Sequence, residues 1–168
     1  MSADNGTDLE LSATRWIPAA PGKVWTAATT KAALERWWSP EELRTSVRRL
    51  EVHPGGMIAF HVTYLPALLS PTSKESFTAA RVPIAFDLRG TFSELVEPSR
   101  LTFDLTLELG KAGAGIPMST RMDLEPEGAG TPVTLTGRGQ GTPHWRTLGT
   151  RNLEAQLERL EGEVGQRA

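Results

Sequence analysis

From Leu101 to Leu109 every second residue is apolar (Leu101, Phe103, Leu105, Leu107, Leu109), and Thr102, Asp104, Thr106 and Glu108 stand between them. A period of two turns one set of side chains to a core and the other to water, which is the pattern of a half-buried β-strand. The same period recurs through Ile58, Phe60, Val62 and Tyr64, through Ile84–Val96, through Met118, Thr120, Met122 and Leu124, and through Val133, Leu135 and Gly137. Pro54-Gly55-Gly56, Glu97-Pro98-Ser99-Arg100, the glycine-rich stretch from Gly110 to Pro117 and Glu127-Gly128-Ala129-Gly130 supply the turns. Further strands are expected over Leu9–Ile17 and over 44–53, with Val47, Leu50 and Val52 apolar, making seven. Outside one insertion no helical segment separates the later strands, so the sheet must be antiparallel.

Helical spacing appears in three places. Pro21 suits the first turn of a helix carrying Val24, Trp25 and Ala28, and a second short helix runs from Lys31 to Trp38 until Ser39-Pro40 stops it. Adjacent helix positions cannot both point inward, which leaves Trp38 open as the exposed member of the Trp37–Trp38 pair. The chain closes with a long helix, with Thr142 as N-cap, Pro143 at the first position and Gly162 as terminator. Trp145, Leu148, Leu153, Leu157 and Leu160 form its apolar side, and Arg151, Glu154, Glu158 and Glu161 face water. An amphipathic helix and a one-faced sheet bury each other most economically when the sheet curves around the helix, an α+β arrangement. Gly149, Asn152 and Gln156 also project inward near Trp145, where tight packing would favour Leu or Ile, so space is expected there. The expected organisation is a tail over 1–8, one domain over 9–162 and a tail over 163–168. Within the domain, residues 66–83, with Pro66, Pro71 and Pro83, read as an irregular insertion with one or two helical turns that folds as a lid over the cavity.

Composition excludes several classes. The 168 residues fit one domain, and without cysteine there is no disulfide framework, thiolate metal site or cysteine nucleophile. A net charge of −2 gives no field to recruit nucleic acid or an anionic membrane. No apolar run reaches the ~18 residues of a membrane span. The small, acidic N-terminus lacks the features of a signal peptide, so the cytoplasm is the expected location.

Catalytic constellations are sparse. His53, His61 and His144 show no metal-ligand spacing; His61 falls in the outward phase and His144 in the first turn of the last helix. The glycines from Gly110 to Gly115 lack the Gly-Lys-Ser/Thr ending of a phosphate loop, and no serine lies in a nucleophile elbow. Glu94 shares the phase of Gly90, Phe92 and Val96; facing the cavity it would need a partner such as Arg15 or Arg100, either to fix register or to orient a ligand. The aromatics Trp25, Trp37, Trp38, Phe60, Tyr64, Phe86, Phe92 and Trp145, with Met57, Met118 and Met122, come from elements expected to surround one cavity, or simply fill the core.

Several strings, in order, resemble the helix-grip superfamily, also called START-like or SRPBCC, and within it the domain of activators of heat-shock-protein ATPase and their bacterial relatives. They are Arg15-Trp16-Ile17-Pro18-Ala19-Ala20-Pro21-Gly22-Lys23-Val24-Trp25, Leu34-Glu35-Arg36-Trp37-Trp38-Ser39-Pro40, Pro54-Gly55-Gly56, Gly90-Thr91-Phe92-Ser93-Glu94-Leu95 with Pro98-Ser99-Arg100-Leu101, and Gly130-Thr131-Pro132-Val133-Thr134-Leu135-Thr136. His53, where relatives commonly carry Arg, and the 66–83 insertion depart from the pattern. The resemblance implies a seven-stranded antiparallel sheet around the C-terminal helix with a cavity between them. Relatives bind apolar or aromatic small molecules, act as cyclases or dehydratases, or serve as co-chaperones. The expectation is non-catalytic binding of an apolar or aromatic small molecule without a cofactor or metal. The lining is assigned to Trp25, Trp37, Phe60, Tyr64, Phe86, Phe92, Glu94, Met118, Met122, Trp145, Gly149, Asn152 and Gln156. The alternatives are a co-chaperone-like docking module and a polyketide cyclase or dehydratase. A homodimer and a protein client or chaperone stay open as partners.

Overall fold

The computed structural model describes residues 7–39, 42–79, 82–108, 115–141 and 143–166. The chain runs β1 (Thr7–Ile17), α1 (Pro21–Ala28), α2 (Lys31–Trp37), β2 (Leu43–Leu50), β3 (Met57–Tyr64), a 3₁₀ turn (Pro66–Leu68), α3 (Pro71–Ala79), β4 (Ala85–Val96), β5 (Arg100–Glu108), β6 (Ile116–Leu124), β7 (Thr131–Gly141) and α4 (Pro143–Gln166). The strands form one antiparallel sheet in the order β1-β7-β6-β5-β4-β3-β2. Its inner face carries α4, which lies chiefly against β1 and β7 and touches α1, α2 and α3. This is the helix-grip arrangement expected from the strand periodicity and the terminal amphipathic helix.

The β2–β3 turn is built by Pro54-Gly55-Gly56. Gly55 adopts φ +80°, and a Cβ at Gly56 would meet the Glu51 carbonyl oxygen at 1.9 Å, so both positions require glycine. The turn is stitched to β4 by Gly55 N–H donating to the Phe92 carbonyl (2.8 Å) and Phe92 N–H to that of Gly56 (3.0 Å).

Inside, Trp37 is fully buried and its Nε1 donates to the Ala27 carbonyl (2.9 Å). Trp38 is buried too, contrary to the reading of it as the exposed partner. Helix α2 ends at Trp37, so Trp38 sits at its C-cap, and its ring packs 5.4 Å from Phe60 and 5.2 Å from Phe103. Helix α4 also departs from expectation: it runs through Gly162 to Gln166, and residues 163–166 are helix rather than tail. Val164 and Glu163 are buried there, and that tertiary anchoring outweighs the cost of about 1 kcal/mol that a mid-helix glycine carries. The expected N-cap Thr142 and most of the Gly110–Pro117 stretch lie outside the described residues.

The insertion is ordered into the 3₁₀ turn and α3. Phe77 packs edge-on against Tyr64 (5.0 Å), the Tyr64 hydroxyl donates to the Val82 carbonyl (2.6 Å), and Glu42 accepts hydrogen bonds from Ser73 Oγ (3.0 Å) and Ser70 N–H. Leu65, Leu68 and Ile84 stay exposed around its base.

The outer face is a polar lattice. His61 lies on it as expected, its Nδ1 2.8 Å from Asp87 Oδ1, with Arg89 3.6 Å from Asp87. The hydrogen bond to His61 holds the Asp87 carboxyl below its usual range; the His61 and Arg89 charges add to this, and partial burial opposes it. A depressed carboxylate contributes stability above its unfolded pKa of ~3.9 and loses it as pH falls through the folded value. Asp87 is a third exposed, so Asp87→Asn is expected to cost only about 0.5 kcal/mol near neutrality. Urea unfolding across pH should show that difference closing toward zero below about pH 4; a gap that persists there would contradict the assignment.

Candidate ligand cavity beneath the C-terminal helix

The inner-face register defines what a ligand could meet. Across the middle of the sheet, Leu11 pairs with Gly137, Gly137 with Thr120, Thr120 with Phe103 and Phe103 with Phe92. A Cβ built at Gly137 meets no heavy atom of the described residues within 4 Å. Among the described residues, no atom occupies the place of a side chain at this inward-facing position. Thr120 and Met118 beside it, and Asn152 on α4, are half-buried. Below it, Trp38 closes on Phe60 and Phe103.

The expected lining separates into four groups. Trp25, Trp37, Phe60, Phe92 and Met122 are buried in the core, and Tyr64 is buried against Phe77 of the insertion. Phe86, Met118, Gly149 and Asn152 are half-buried on the inner side. Gln156 is buried, and its Nε2 donates to the Trp38 carbonyl (2.6 Å). Trp145 lies in α4, but its side chain is outside those described. Two assignments need correction. Glu94 does not face the cavity: a bulge at Ser93 shifts the register, so Phe92 opposes Phe103 while Glu94 opposes Thr102 on the outer face, 3.4 Å from the Thr102 hydroxyl. Gly149 is not small to leave room for a ligand, because its Cβ position is already taken by Leu11 Cδ1 at 2.5 Å. At Gly137, one strand inward, a Cβ would meet no heavy atom of the described residues within 4 Å.

Electrostatically the inner face is quiet. Among the described inward strand residues only Arg15 is charged, and it pairs with Glu161 of α4. Desolvation raises the Tyr64 pKa, so this phenol remains a donor. No pair of titratable groups meets in the Gly137 space among the described residues, and none of them form a metal-ligating cluster. A surface hollow of ≈ 650 Å³ lies among Leu9, Glu10, Asp104, Met118, Arg138 and Gly139, where Glu10 and Arg138 pair at 2.9 Å. The sequence reading missed Gly137 as a site residue, although its signal was present: a glycine in the inward phase of a strand.

The fold and this apolar inner face define an α+β helix-grip domain. The chain is similar to the AHSA1 protein from Silicibacter pomeroyi (TM-score 0.70, 17% identity, 96% of this chain and 100% of that one). It is also similar to a Chromobacterium violaceum protein (0.70, 20%, 92% and 96%) and to an Arthrobacter aurescens protein (0.73, 18%, 94% and 87%). At these identities the likeness is one of fold. No protein-family model and no curated protein matches the chain. Among the described residues no helix is long and apolar enough to cross a membrane.

Proposed function

We propose that the domain binds an apolar or aromatic small molecule between the sheet and α4, without catalysing a reaction. The observation that carries this reading is Gly137, an inward position on a covered strand whose Cβ would meet no heavy atom of the described residues within 4 Å. A void there forfeits dispersion contacts, and an apolar ligand restores them. The absence of a titratable pair among the described residues around it favours holding a ligand over acid–base chemistry.

The neutral fluorophore N-phenyl-1-naphthylamine is expected to bind saturably with a stoichiometry of about one. Gly137→Leu should fill the space and weaken that binding by about tenfold or more, while urea unfolding shows stability held or raised. Probe binding that is unsaturable, or unchanged in Gly137→Leu, would refute the assignment.

A further inference from the structure

A second hollow lies on the opposite flank of α4, where α1, α2 and the last turns of α4 meet. It encloses ≈ 280 Å³, and Ala27, Ala33 and Val164 form its apolar floor. That is the liquid volume of about nine waters at about 30 Å³ each, which suits a molecule the size of a small aryl acid. Its polar wall is built. Arg36 Nε lies 2.9 and 2.8 Å from the two carboxylate oxygens of buried Glu163, and Nη2 lies 2.6 Å from Oε1. That grip fixes the guanidinium plane and leaves Nη1 with no acceptor among the described residues. The Glu163 contact raises the Arg36 pKa, keeping it cationic. Lys23, on the facing turn of α1, has no ion pair among the described residues, so among the described residues lining the hollow two cations stand against one carboxylate. One turn earlier on α4, Arg159 donates from Nη2 to the Arg36 carbonyl (2.7 Å), and its buried Nε has no partner among the described residues.

From this juxtaposition of an apolar floor, an oriented arginine edge and an unpaired lysine, we infer that the α1–α2–α4 cleft binds a small amphipathic carboxylate. The anion meets Lys23 and the free edge of Arg36, and the apolar part lies on Ala27, Ala33 and Val164. Burial of the apolar part supplies area-proportional affinity, and the charge-assisted hydrogen bonds select the anion.

The probe is phenylacetate, with 2-phenylethanol as its neutral counterpart, titrated into the full chain and followed by amide chemical shifts. Phenylacetate should bind saturably below about 10 mM and about tenfold or more tighter than the alcohol. Lys23→Gln, an exposed change that leaves the Arg36–Glu163 pair intact, should weaken it by about tenfold, and Thr26→Phe at the rim should block it. Gly137→Leu should leave it unaltered, which separates this site from the cavity under α4. Failure to saturate by about 10 mM, equal binding of acid and alcohol, or binding lost in Gly137→Leu but kept in Lys23→Gln and Thr26→Phe would each overturn the inference.

Discussion

Trp37→Ala is expected to destabilise the domain by about 4–6 kcal/mol. Removing a fully buried indole costs about 3–5 kcal/mol in lost transfer energy and cavity formation. The indole N–H also satisfies the Ala27 carbonyl in the last turn of α1, a group that the helix itself cannot pair, and orphaning it adds about 1 kcal/mol or more. Against a total of about 5–15 kcal/mol, such a loss leaves a marginal fold. The melting temperature should fall by about 10–20 °C for a chain of this size. Trp37→Phe keeps most of the volume but not the donor, and should cost about 1–3 kcal/mol. Urea unfolding of both variants checks the scale; a loss below about 1 kcal/mol for Trp37→Ala would mean that the Trp37 pocket is not the centre of the core.

Gly90→Ala should be as damaging as a large truncation although it adds a single methyl group. Gly90 lies between Ile58 on β3 and Leu105 on β5. A Cβ there would sit 1.7 Å from the Asp104 carbonyl oxygen and 2.9 Å from Leu105 Cα. Those atoms are backbone of the neighbouring strand, so no rotamer change relieves the overlap; β4 and β5 must separate and give up ladder hydrogen bonds. The expected cost is about 3 kcal/mol or more, at or beyond the usual range for overpacking. Gly137→Ala is the matched comparison on the same face, with no heavy atom of the described residues within 4 Å, and should be neutral to slightly stabilising. Equal stabilities for the two alanine variants would show that the sheet is less tightly coiled at β4–β5 than described.

The sheet was legible because period-two alternation runs through most of its strands, broken by register shifts in β2 and β4. The helix boundaries and the site were less so. Glu94 shows why: its phase is read by counting from Phe92, and the single extra residue at Ser93 inverts everything after it without disturbing composition. Trp38 looked exposed on helical geometry, yet the helix stops one residue earlier. Gly149 and Gln156 looked like vacancies because a sequence does not tell which partner arrives, here Leu11 Cδ1 and the Trp38 carbonyl. Gly137 stood in the inward phase throughout, but the sequence does not tell that its Cβ would meet no heavy atom of the described residues within 4 Å. Arg36 and Glu163 carry no local signal, since the pair joins α2 to a turn that looked like tail.

The pairing of β1 with β7 sets an order on how the chain is made. Thr7 meets Gly141 and Ile17 meets Thr131, so the first strand finds its only sheet partner among the last residues translated before α4. Strands β2 to β6 each pair with a sequence neighbour and can zip together as they emerge. At ordinary translation rates β1 waits on the order of 10 s with its backbone donors and acceptors unclaimed. During that interval the β7 of a more advanced nascent chain on the same message would satisfy β1 equally well. The β1–β7 seam is therefore where strand exchange between copies would begin, and slow elongation through residues 17–131 would favour it.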